Sequence, residues 1–404
     1  MTITSSVAGR TALLLLLQGI GCTSRAPSSA SLDESEPFDP KAIAERLATQ
    51  TKQPIDINDP STCATCHGVV YAEWTESMHS KAHHAHDPIY AAMRDFRLSK
   101  GHEIQGKCEN CHAPRANGRT DSAAALAGVS CSACHNIEAV HEADESEGAK
   151  LIVAAKDDVM RSARDIENGR SPVHGNGPAL PAMADGKTLC LACHGNHSNP
   201  AGLSVCTTGS ELDAHVGKET CVSCHMPEVP GPSGAVNSSK THRSHQFVGP
   251  HRAYLQDDPS ILASGARLQV ELEPGRVRLR LENRSGHSFP SGFPGRVVTL
   301  RVQGFDADGQ EVWSNAGAPD TVLRRAFLDA EGKPTMPPFA KQVGPDTRLK
   351  PDEVRSMEFE VPKKVVAVRA ALQYRLLPDT AAKIMGLSGP LARPISVISE
   401  KAEL

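Results

Sequence analysis

The pattern Cys-x-x-Cys-His occurs five times in this chain of 404 residues: at Cys63/Cys66/His67, Cys108/Cys111/His112, Cys131/Cys134/His135, Cys190/Cys193/His194 and Cys221/Cys224/His225. The chain has 12 cysteines and 18 histidines in all, a composition from which chance gives on the order of a few hundredths of one match. Each copy supplies what thioether attachment of a haem requires. Two thiols are spaced to reach two vinyl groups, and an imidazole beside the second thiol can bind the iron from one face. Ten of the twelve cysteines are spent in this way, so the spacing is not that of a disulfide framework. Zinc is the competing reading, with two C-x-x-C pairs to a tetrahedral site; five pairs leave one over, and the trailing histidine then has no role. The residues therefore point to five covalently bound haem c groups, with the ten cysteines as attachment points and His67, His112, His135, His194 and His225 as proximal ligands.

Composition agrees with an interior that side chains do not fill alone, since aromatic residues make up only 4% of the chain. The formal charge of −4, without a basic block, gives no reason to expect nucleic acid as a partner. At the N-terminus, Arg10, the run Leu13 to Leu17 and Gly19-Ile20-Gly21-Cys22 read as a lipoprotein-type signal peptide over 1–21, with Cys22 the lipid-modifiable residue. The alternative is an ordinary cleaved signal with Cys22 a bystander; both place the protein in the periplasm or on the outer cell surface. The run is too short for the ~20 apolar residues of a membrane helix, so attachment is by lipid at Cys22. Residues 22–58 read as a flexible tether. Residues 59–260 read as a mainly α and irregular, haem-packed cytochrome c domain. Beyond about Ile261 the pattern alternates apolar and polar residues, with a hairpin around Pro274-Gly275 and further runs at Val297 to Val302, Met357 to Val361 and Val366 to Tyr374. An all-β, immunoglobulin-like sandwich over 261–404 is the expectation, making the chain multidomain.

Each low-spin haem also needs a ligand on its second face, and thirteen histidines remain outside the motifs. His79 follows the first motif with Tyr71, Trp74 and Ser77 at helical spacings, and is the leading distal candidate. His141, His174 and His245 are further candidates, the last chosen from the cluster His242, His245 and His251. His287, in the turn-rich loop Gly286 to Pro294, is expected to reach from the β domain to a haem of the first domain. His83, His84 and His86 read as a hydrated patch, with His102, His197 and His215 in reserve. Cys206 reads as a buried free thiol.

The segment Cys63-Ala-Thr-Cys-His67 with Tyr71, Trp74, Ser77 and His79 resembles the multihaem cytochrome c family that includes the tetrahaem electron acceptor of hydroxylamine oxidation. Gly128-Val-Ser-Cys-Ser-Ala-Cys-His135 and Cys221-Val-Ser-Cys-His-Met-Pro227 are similar to phrases of the same group, over about Ser61 to His251. The His287 loop and Leu372-Gln-Tyr-Arg375 look like the β domain appended to some exported multihaem cytochromes. The resemblance implies haems in stacked and perpendicular pairs and His79 as a distal ligand; five motifs instead of four, and the added domain, depart from the tetrahaem carriers. The functional expectation is electron transfer in periplasmic or cell-surface respiratory chains, with other redox proteins as donor and acceptor. The alternative is an oxidoreductase acting on a small nitrogen or sulfur compound at one open haem.

Overall fold

A helical turn brings positions i, i+3 and i+4 to one face, which is the spacing of the two thiols and the imidazole in every motif. The motifs accordingly fold as short helices, Cys131–His135 and Cys221–His225 being the clearest, with His67 N–H donating to the Cys63 carbonyl at 2.8 Å and His112 N–H to that of Cys108 at 3.0 Å. The computed structural model describes residues 56–102, 108–141, 151–155, 158–165, 171, 173–235, 239–318 and 321–404. The signal, Cys22 and nearly all of the tether lie outside the described residues.

Between the motifs the chain makes helix Gly68–Glu76, helix Pro88–Ser99 and several two-stranded ribbons. The second helix starts where Asp87 accepts from the N–H groups of Ile89 and Tyr90 and Pro88 takes the first helical position, which needs no N–H donor. Three ribbons follow three motifs directly: Ile137–His141 with Leu151–Ala154, Asn196–Ser198 with Ser204–Thr207, and Glu228–Pro230 with Thr241–Arg243. Sequence pattern alone predicts only helical pieces and loops here, because strands of three to five residues carry too little periodicity to register.

The C-terminal part is built from β1 (Ala266–Glu273), β2 (Arg276–Asn283), β3 (Val297–Phe305), β4 (Glu311–Ser314), β5 (Val322–Leu323), β6 (Val354–Glu360), β7 (Ala367–Arg375) and β8 (Ile395–Glu403). One antiparallel sheet runs β6-β2-β1; the other runs β4-β3-β7-β8, with β5 pairing to β3. The β1–β2 hairpin turns at Pro274-Gly275, where Gly275 takes φ +81°, and pairs Glu273 with Arg276. Alternation then decides what is inside. Val277, Leu279 and Leu281 of β2, Val298, Leu300 and Val302 of β3, and Val368, Ala370, Leu372 and Tyr374 of β7 form one buried core shared by the two sheets. Arg276, Arg278 and Arg280 project outward, Arg276 and Arg278 pairing with Glu358 across the sheet. The haem-binding part joins this core through helix Arg252–Leu255, whose Tyr254 donates its hydroxyl to the Tyr374 carbonyl at 2.9 Å.

Because Leu300 is fully enclosed between the two sheets, Leu300→Ala will cost about 2–5 kcal/mol, read as a lower denaturation midpoint. Val354→Ala, at an exposed position of β6, will stay within about 0.5 kcal/mol of the parent.

Candidate haem-binding cavity

The five motif segments wall one continuous cavity of about 4390 Å³. An ordinary small-molecule site occupies roughly 300–1,000 Å³, so the space is several times that of a single ligand. Thiols of different motifs meet along the wall: Cys63 lies within hydrogen-bonding reach of Cys131, Cys111 of Cys193, and Cys190 of Cys221. The first motif therefore neighbours the third, and the fourth neighbours both the second and the fifth.

Four of the five motif imidazoles are oriented by the same device. Nδ1–H of His67 donates to the Ser233 carbonyl at 2.8 Å, that of His112 to Ala82 at 2.8 Å, that of His135 to Arg161 at 2.7 Å and that of His225 to Val248 at 2.6 Å. A carbonyl can only accept, so Nδ1 holds the proton and Nε2 keeps its lone pair facing the cavity, as an iron ligand must. Burial holds His112 and His135 below the ordinary imidazole range and His194 at about 4, which favours the neutral, ligating form.

Two motif imidazoles face a second imidazole across the cavity. The ring centroids of His79 and His194 are 6.1 Å apart, and those of His135 and His245 are 6.2 Å apart with planes 25° from parallel. Two metal–nitrogen bonds of about 2 Å each plus the two ring radii give about 6 Å, the separation of imidazoles on opposite faces of one iron. His245 donates Nδ1–H to the Arg243 carbonyl, leaving Nε2 free. Burial holds His79 at about 3, helped by the nearby His194, His245 and His225, and burial holds His245 at about 4.

His79 lies just past helix Gly68–Glu76, not on it. Ser77 is extended, and its hydroxyl accepts from the His79 N–H at 3.2 Å. The His79 carbonyl accepts from Val129 N–H at 2.9 Å, and the Trp74 indole donates to the Val129 carbonyl at 2.9 Å. Gly128 makes this approach feasible: at φ +64°, a Cβ there would lie 2.5 Å from the His79 carbonyl oxygen.

The remaining candidates divide by their hydrogen bonds. His174 and His287 line the cavity and donate Nδ1–H to the carbonyls of Gly175 and Ser288, each at 3.1 Å, leaving Nε2 free; His174 neighbours His135 and His287 neighbours His225. His141 departs from the expectation. It sits exposed at the end of strand Ile137–His141, outside the cavity wall, because a strand advancing roughly 3.3 Å per residue carries it away from the third motif. His242 spends both nitrogens, Nδ1 on the Gly231 carbonyl and Nε2 on Glu73. His83 is buried and likewise spent, on the Thr120 carbonyl and the Ala85 N–H, so it is a structural residue and not part of a hydrated patch. His215 is held between Asp352 and Glu219.

His251, set behind His245 in the sequence reading, has a buried Nε2 with no hydrogen-bond partner, and burial pushes it down to about 3. Arg97 on the same wall has a buried, unpartnered Nε. An orphaned imidazole nitrogen and an orphaned guanidinium Nε–H suit an iron and a haem propionate respectively, so the residues present fit the group. Cys206 also lies on the wall, where burial pushes its thiol up to about 12.

The His287 loop is clamped by a buried ion pair between Glu211 of the haem-binding part and Arg348 of the β part. Glu211 meets Arg348 at 2.9 Å and accepts from the Ser288 N–H at 3.0 Å, while Arg348 also pairs with Asp346 at 2.7 Å and donates to the Ser291 carbonyl at 2.8 Å. Burial pushes the Glu211 carboxyl up, but Arg348, the Thr207 hydroxyl and Ser288 outweigh it and leave it below the ordinary carboxylate range.

A cavity lined by repeated thiol pairs and by facing imidazoles defines a protein that encloses several haems. The family described as "Cytochrome c554 and c-prime" matches residues 62–136, which hold the first three motifs. A penta-heme cytochrome c552 from Thermochromatium tepidum matches in structure with a TM-score of 0.72 and 24% identity, over 87% of this chain and 100% of that one, a likeness of fold. A search of curated proteins finds no match. The five motifs and the cavity they wall suit covalently bound haem c, and the family match over the first three motifs and the likeness of fold agree with that.

Arg348→Gln, which leaves a buried carboxylate unpaired, will lower stability by about 3–5 kcal/mol, and Glu211→Gln/Arg348→Gln by less. The folded Glu211 carboxyl titrates below its unfolded value of about 4.3, so its contribution is present above that pH and is lost as pH falls through the folded value. The difference in urea midpoint between the parent and Glu211→Gln will therefore shrink on acidification.

Proposed function

We propose that this protein is an exported pentahaem cytochrome that passes electrons between other redox proteins of a periplasmic or cell-surface respiratory chain, held at the membrane by lipid on Cys22. The ten motif cysteines hold five haems, and His67, His112, His135, His194 and His225 bind the irons from one side. The observation that carries the reading is the pair of facing imidazoles, His79 with His194 and His135 with His245, at iron-bridging separations. An iron held between two imidazoles has no position for substrate, and its bound haem supplies a one-electron couple with little change of shape. His287 stands toward His225, while His174 and His251 supply further free nitrogens for the remaining irons.

The contacts between motifs support a connected relay. Thiols of the first and third, second and fourth, and fourth and fifth motifs lie side by side, and Cys134 of the third motif neighbours Cys190 and Cys193 of the fourth, so the fourth motif is the junction. We read the two sheets over one core as an immunoglobulin-like sandwich that covers the cavity and brings His287 to it, with Glu211 and Arg348 as its clamp.

Haemochrome assay with intact mass of the exported protein will give five haems per chain. Cys→Ser at both thiols of one motif will remove one. In the ferric electron paramagnetic resonance spectrum, His79→Ala and His245→Ala will each convert one low-spin iron to high spin, whereas His242→Asn and His141→Ala will leave every signal low-spin. A parent spectrum with a large high-spin signal that moves on adding nitrite or hydroxylamine would instead make the protein an enzyme with an open haem.

A further inference from the structure

Segment Thr241 to His251 touches the ligand set of three motifs. His245 faces His135, the Val248 carbonyl accepts from His225, and the Phe247 ring packs against both His79 and His245. Its centroid is 4.2 Å from that of His79, with planes inclined 56°, and 5.6 Å from that of His245, edge to face at 82°. The perpendicular contact with His245 is of the kind that aromatic rings favour, and the contact with His79 is closer and tilted.

The backbone of Phe247 is held where a bulky residue rarely sits, at φ +46°. Its neighbours impose this on both sides. Before it, the His245 N–H donates to Glu73 at 2.8 Å and the Gln246 side chain to Glu76 at 3.3 Å; after it, Val248 N–H donates to the His225 carbonyl at 3.2 Å. A conformation disfavoured for the residue yet fixed by its surroundings marks a placement the fold enforces.

We infer that Phe247 is a positioning residue that sets the ring planes of His79 and His245 together, tying the ligand geometry of the third motif to that of the fourth. The inference rests on the proposed ligation by these two histidines. Phe247, tilted against the His79 ring at 4.2 Å and perpendicular to the His245 ring at 5.6 Å, limits rotation of both rings about their Cβ–Cγ bonds. A branched aliphatic side chain fills similar space but leaves both rings free to turn. The angle between axial imidazole planes governs the g-anisotropy of a low-spin ferric iron, so the consequence is spectroscopic.

The test is the ferric electron paramagnetic resonance spectrum of the full-length holoprotein with Phe247, Phe247→Leu and Phe247→Tyr, haem content being measured on each. The expected result is that Phe247→Leu keeps its full haem content but shifts or broadens two low-spin signals while the others stay in place, and that Phe247→Tyr restores the parent pattern. Superimposable spectra for the parent and Phe247→Leu would overturn the inference and leave the ligation standing. So would movement of every signal together, failure of Phe247→Tyr to restore, or loss of haem from Phe247→Leu, each of which marks a general packing role. A parent spectrum without low-spin signals would overturn the ligation itself, and this inference with it.

Discussion

Four motif histidines give their Nδ1 proton to a backbone carbonyl brought from elsewhere in the chain: Ser233, Ala82, Arg161 and Val248. The bond fixes the tautomer and aims Nε2 into the cavity, and it also registers the donor segment against the acceptor segment. Ala82 stands three residues beyond His79, and Val248 stands between Phe247 and His251. Orienting one imidazole in this way positions the segment that carries another, so the cavity-facing imidazoles are assembled as a network.

The two halves of the described chain draw on different sources of cohesion. The β part has an ordinary apolar interior in which strand alternation sends Val, Leu and Tyr inward from two sheets. In the haem-binding part the buried apolar cluster is Ala113, Ala116 and Ala125, far too small to organise so many short helices and ribbons. The cavity stands where a side-chain core would otherwise be, and apolar surface buried against a haem there would stabilise the fold as side-chain burial does elsewhere. The Glu211–Arg348 pair, the Tyr254 hydroxyl and Asn199, which donates to the carbonyls of Pro337 and Ala340, join the halves with polar contacts around that space.

Within ten residues, three histidines have different roles that their sequence context does not separate. His242 is spent on Gly231 and Glu73, His245 faces His135, and His251 is buried with a free nitrogen. The partners that sort them lie far away along the chain, Glu73 nearly 170 residues before His242. The same distance explains why Phe247 went unread: an isolated aromatic in a loop carries no periodic signal, and its role exists only because two remote imidazoles close on it.

What the sequence alone determined is everything local. The thiols and imidazole of each motif share one face of a helical turn, the hairpin at Pro274-Gly275 follows from a turn that glycine permits between alternating strands, and inward and outward faces of the sheets follow from a period of two. Only the tertiary structure decided which imidazoles face each other, that His141 lies outside the wall while His251 lies within it, and that Gly128 must lack a side chain for Val129 to reach His79. The physical reason is range. Attachment is a matter of neighbours three and four residues apart, whereas opposition across an iron needs two segments from distant parts of the chain held about 6 Å apart by hydrogen bonds that belong to neither segment alone.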